Sequence, residues 1–81
     1  MILPTKRLGQ DRALLAVGGE ILGLLGEPKT VSRVWEEFKQ GREDRPDAAP
    51  ITFDWFVLAL DLLHAMRVVE WERGRLRKAL P

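Results

Sequence analysis

The period of the sequence changes near residue 67, and that change restricts the fold more than any other feature. Before it, apolar residues recur every three or four positions, the spacing of one helix face. After it, "RVVEWERGRLRKALP" alternates apolar and charged residues, the spacing of a strand with one covered face. Arg73-Gly74 falls where a two-residue hairpin turn belongs. That turn sets Glu72 opposite Arg75, Trp71 opposite Leu76 and Glu70 opposite Arg77. Both charged pairs then share one face of the hairpin, and Trp71 and Leu76 share the other. The expectation is a β-hairpin over residues 68–80.

Three helical stretches precede it. Leu14, Val17, Ile21, Leu24 and Leu25 set a helix over 10–26, and Gly26 followed by Pro28 is a good stop. Gly18, Gly19 and Gly23 lie inside this helix, where each costs roughly 1 kcal/mol against Ala. Gly19 and Gly23 share a face with Ala16, so another backbone is expected close by, either within the domain or from a partner helix. Residues 1–9 read as an extended arm, because Pro4 and Gly9 discourage a helix. A second helix covers 30–41: Thr30 caps it, Val31, Val34, Trp35 and Phe38 make its apolar stripe, and Gly41 ends it. "REDRPDAAP" at 42–50 is a polar loop. It is much longer than the three- or four-residue turn of a DNA-binding helix-turn-helix. Thr52 caps a third helix that runs to about Met66.

Three helices followed by a hairpin describe an α+β fold, mainly α, of winged-helix-like order. With 81 residues the chain suits one domain over 1–81, with 1–9 as arm, 42–50 as loop and 68–80 as wing.

The third helix, "TFDWFVLALDLLHAM", decides between functions. If the domain read DNA, this helix would need Arg, Lys, Asn, Gln or Ser toward the groove. Its only charged or titratable groups are Asp54, Asp61 and His64. Steps of 100° per residue place Trp55, Phe56, Ala59, Leu62, Leu63 and Met66 on one apolar arc, the expected core face. The opposite arc holds Phe53, Asp54, Val57, Leu58, Leu60, Asp61, His64, Ala65 and Arg67. Its aspartates would repel phosphate, and its apolar members suit a protein-docking face. The hairpin and the arm are the other candidates to cover it. The expected partner contacts are Phe53, Val57, Leu60 and His64, edged by Asp54 and Asp61.

Catalysis has little support. The chain has no Cys, no Tyr, one Ser (Ser32) and one His. Asp61 and His64 stand three apart on a helix, but no nucleophile is evident beside them. The carboxylates lack metal-ligand spacing, and "VGGEILGLLG" fits neither phosphate-loop pattern. No catalytic, cofactor or metal residue and no small-molecule substrate is expected. Arg73, Arg75, Arg77 and Lys78 form one basic cue for nucleic acid, offset by Glu70 and Glu72. The net charge of +1 gives no general attraction to nucleic acid. The third helix is too short and too acidic to span a membrane. The opening "MILPTKRLGQ" has no long apolar region of a signal peptide. A cytoplasmic location is the default.

The blocks "LPTK", "DRALLAVGGEILGLL", "KTVSRVWEEF", "ITFDWFVLALDLLHAM" and "VVEWERGRLRK" resemble the small middle components of bacterial ABC-three-component systems. The likeness covers nearly the whole chain, and "TVSRVWEEF" and "TFDWFVLALDLL" are its most specific parts. It implies a non-catalytic adaptor between a coiled-coil ATPase similar to SMC and Rad50 proteins and an effector, often a nuclease. Such systems are linked to defence against phage and plasmids. Nucleic acid would then be met through the complex. The rival reading from the residues is a DNA-binding winged-helix regulator that contacts phosphates through Arg73, Arg75, Arg77 and Lys78.

Overall fold

A computed structural model describes residues 4–45 and 51–79, with side chains from residue 12 onward. Three helices come first: α1 (Pro4–Leu24), α2 (Val31–Glu43) and α3 (Phe53–Ala65). Strands β1 (Val69–Glu72) and β2 (Arg75–Lys78) then form an antiparallel hairpin. The register is the one expected, with Glu70 opposite Arg77, Trp71 opposite Leu76 and Glu72 opposite Arg75. Arg73 and Gly74 both have positive φ, 54° and 77°, as a type I′ turn requires.

The expected arm is not extended from residue 4 on. Pro4 occupies the start of α1, where the N–H it lacks would have had no helical partner anyway. Gly9 lies within the same helix, a tolerated loss of about 1 kcal/mol. Residues 1–3 of the expected arm lie outside the described residues. At the other end α1 stops at Leu24 rather than at residue 26, with a tight last turn from Leu25 N–H to the Leu22 carbonyl (3.1 Å).

Thr30 caps α2, its hydroxyl accepting from Arg33 N–H at 3.2 Å. Gly41 does not end this helix, which continues to Glu43. Arg42 holds the extra turn: its guanidinium bonds Glu20 on α1 at 2.6 Å and lies over the Phe38 ring. The expected loop therefore begins later than residue 42, and residues 46–50 of it lie outside the described residues. Thr52 caps α3, accepting from Trp55 N–H at 3.4 Å. Arg67, in the left-handed region at φ 61°, closes α3 in a Schellman turn. In it Val68 N–H bonds the Leu63 carbonyl (3.1 Å) and Arg67 N–H bonds the His64 carbonyl (3.0 Å).

The buried residues form one cluster from all the elements: Val17, Ile21 and Leu25 of α1 and its end, Val34 and Phe38 of α2, Phe56, Ala59, Leu60 and Leu63 of α3, then Val69 and Leu76. Two local devices hold the layers in place. Gly18 is a notch in α1, where a methyl group would stand 3.1 Å from Leu63 Cδ2. At the other end of α3, Phe53 and Phe56 meet Trp35 and Phe38 in one aromatic cluster, with ring centroids 4.9–6.1 Å apart. The hairpin is tied to the segment before α2 by two backbone bonds between Lys29 and Leu76, at 2.7 and 3.0 Å. Lys29 Nζ then reaches Glu37 at 2.6 Å, and Arg33 bonds the same carboxylate at 3.0 Å. Those two cations hold the Glu37 carboxyl below its usual range, chiefly through the Lys29 hydrogen bond.

A candidate docking face on the third helix

Because α3 is apolar almost all round, its burial is set by its neighbours. The buried arc is Phe56, Ala59, Leu60 and Leu63. Compared with the expected core arc, it is rotated by about 50° at 100° per residue. Leu60, expected to face a partner, is only 5% exposed and belongs to the core. Met66, expected in the core, is 52% exposed, and Trp55 and Leu62 are half-buried. The rotation has a physical cause. Leu63 must point at the Gly18 notch, and Phe53 and Phe56 must reach the α2 aromatics. Both demands turn the Leu60 side inward.

The solvent side of α3 carries Asp54, Val57, Leu58, Asp61 and Ala65, all exposed. Phe53 lies at its edge, 48% exposed, with its ring edge-on to Trp35 at 5.2 Å. Neither aspartate has an ion pair among the described residues. Leu58, 49% exposed, stands between them in sequence but was absent from the expected contacts. The 100° spacing places it on the same arc as Val57, opposite the expected core face, and its exposure agrees.

His64 is half-buried at the join between α3 and the hairpin. Its Nδ1 lies 3.0 Å from the Leu60 carbonyl, a distance that assigns the proton to that nitrogen. Its Nε2 is buried with no hydrogen-bond partner among the described residues. The ring stacks on Trp71 at 5.5 Å. Asp61 makes no hydrogen bond to it, so the Asp61–His64 pair does not form. Trp71, 53% exposed, is a second apolar surface residue absent from the expected contacts. It shares a hairpin face with buried Leu76, but His64 covers only one side of its ring.

The hairpin charges are shared differently from expectation. Arg77 takes both carboxylates, pairing with Glu70 and, at 2.6 Å, with Glu72. Arg75, expected to be matched by Glu72, has no ion pair among the described residues; neither do Arg73 and Lys78. Among the described residues no group of three or more His, Cys, Asp or Glu could hold a metal ion. No helix among them is long and apolar enough to cross a membrane.

Gly19 and Gly23 correct another expectation. A methyl at either would meet nothing within 4 Å, so neither admits a close backbone neighbour within the described fold. Only Gly18 does.

Comparison with curated proteins and with solved structures found no match. The chain does match one protein family over residues 3–79, a span that holds every element described above, the α3 face and the hairpin included. The resemblance carried by "TVSRVWEEF" and "TFDWFVLALDLL" is therefore upheld across the fold, and the chain belongs to the family of ABC-three component (ABC-3C) system Middle Component 6.

Proposed function

We propose that this middle component is a non-catalytic adaptor that binds an SMC/Rad50-like ATPase and links it to an effector in anti-phage or anti-plasmid defence. The observation that carries the reading is the solvent side of α3. Val57 and Leu58 sit there in water, where polar residues would serve the isolated chain as well or better. Exposed aliphatic residues grouped on one helix face are the signature of a protein contact. Phe53, Asp54, Val57 and Asp61 form that contact, and the half-buried His64 supports its edge through Trp71. Leu60 acts from beneath, as core. The antiparallel contact of Lys29 with Leu76 gives the hairpin a neighbour from the segment between α1 and α2, which supports reading 1–81 as one winged-helix-like unit.

Co-expression with the ATPase and effector of its own system, followed by affinity capture and native mass measurement, tests this reading. A complex of fixed stoichiometry is expected. Recovery of the chain alone under all conditions would overturn it.

One observation favours a second reading. Arg73, Arg75 and Lys78 project from the hairpin without ion-pair partners among the described residues. A wing on duplex phosphates would use them, while Arg77 is neutralised by two carboxylates. Titration with duplex DNA at low and high salt separates the two. Salt-dependent binding lost on replacing those three residues would favour the DNA reading, and no binding at low salt would remove it.

A further inference from the structure

The exposed side of α3 has a shape as well as a composition. On a helix, residues four apart form ridges, and grooves run between them. Two such ridges face solvent here. One is Phe53, Val57, Asp61 and Ala65; the other is Asp54, Leu58 and Leu62, continued by Met66. The exposed carbon of Val57 and Leu58 lines the groove between them. Asp54 and Asp61 are seven residues apart, about 10 Å along the axis and nearly in line. Helix α3 contains no Lys or Arg that would neutralise them.

We infer that this groove receives a single α-helix of a partner protein. That helix carries an aliphatic stripe edged by Lys or Arg about two turns apart. The inference rests on the adaptor reading and adds the chemistry of the partner. A helix is the element whose own ridges fit a groove between rows spaced four apart. Its aliphatic residues cover Val57 and Leu58. Its cations meet Asp54 and Asp61, which fixes orientation and suppresses wrong partners. The same carboxylates disfavour two other occupants. An anionic lipid surface and a nucleic-acid backbone would both bring negative charge onto Asp54 and Asp61.

The experiment places the photo-crosslinking amino acid benzoylphenylalanine at Leu58, and separately at Ser32 on α2 as a control. Each chain is co-expressed with the ATPase and effector of its system. Illumination is expected to join position 58 to one peptide of one partner, and position 32 to none. That peptide should alternate aliphatic residues at helical spacing with Lys or Arg seven apart. The pair Asp54→Lys and Asp61→Lys should cut the crosslink yield by about tenfold, and exchanging the peptide's cations for Glu should restore it. Asp61→Lys alone, with circular dichroism, guards against a folding defect from losing Asp54 in the first turn of α3.

Three results would overturn the inference. One is a crosslink from position 58 only to another copy of this chain, which would make the face a self-association surface. The second is a crosslink to a peptide without basic residues. The third is a complex that forms with the double-lysine chain as readily as with the natural one. In each case the adaptor reading survives. A complex that never assembles overturns the adaptor reading and this inference together.

Discussion

The two sides of α3 differ far less in composition than in fate. Phe56, Ala59, Leu60 and Leu63 are buried, while Val57, Leu58 and Ala65 face water. Leu58 and Leu60 are the same residue type two positions apart, one 49% exposed and the other 5%. The lesson is that intrinsic hydrophobicity cannot phase a helix that is apolar nearly all round. Shape complementarity phases it instead, through the Gly18 notch at Leu63 and the aromatic cluster at Phe53 and Phe56. The side left over keeps its aliphatic residues and two carboxylates that have no ion pair among the described residues.

The most damaging test of this comparison places one charge on each side. Leu60→Asp buries a carboxylate with no partner and should destabilise by about 4 kcal/mol, a large share of a small domain's stability. Leu58→Asp should change the stability of the free chain by no more than about 0.5 kcal/mol. Urea unfolding followed by tryptophan fluorescence reads both. Equal losses would mean that the burial of the two sides is not what sorts them.

The notch is tested next. Gly18→Val should crowd Leu63 and destabilise by about 1–3 kcal/mol, read as a drop in Tm. Gly19→Ala has open space and gains helix propensity, so it should stabilise by about 1 kcal/mol. A stabilised Gly18→Val chain would show that α1 does not seat Leu63 there.

A smaller effect is expected where α3 hands over to the hairpin. Arg67 holds a left-handed conformation that glycine adopts freely. Arg67→Gly should therefore raise stability by about 0.5–1 kcal/mol without altering either side of α3. The same urea titration measures it.

The smallest effect concerns acid. Glu37 is held below its ordinary pKa of 4.5 by Lys29 and Arg33. A carboxyl depressed in the folded state stabilises fully above its unfolded value. That stabilisation is lost as pH falls through the lower folded value. The Glu37 carboxyl resonance should titrate below pH 4.5, and Lys29→Met should move it upward. A midpoint unchanged by that substitution would separate Glu37 from the strand contact that Lys29 makes.

Much of the fold was legible because local signals were decisive. Thr30 and Thr52 are helix caps on chemistry alone, and Arg73-Gly74 with alternating flanks fixed the hairpin register. Negative signals misled where tertiary contacts override them. Pro4 reads as a breaker unless it falls on the first helical position, and Gly41 reads as a stop unless Arg42 is anchored across to Glu20. The α3 phase was not legible, because Trp55, Leu62 and Met66 score as well for a core as Leu60 does. Thus Phe53, Asp54, Val57, Leu58 and Asp61 are legible as the solvent side and Leu60 is not, while Leu58 and Trp71 are absent from the expected contacts. The exposed ring of Trp71 depends on where the hairpin ends relative to His64, which no local pattern encodes.

The adaptor role requires that the solvent side of α3 be covered in the assembled system. Hydroxyl-radical footprinting of the free chain and of the purified complex with its ATPase and effector measures this residue by residue. Strong protection of Phe53, Val57 and Leu58 on assembly, with Leu15 of α1 labelled equally in both, is the predicted result. Equal labelling of Leu58 and Phe53 in free and assembled protein, or protection confined to the hairpin turn, would contradict it.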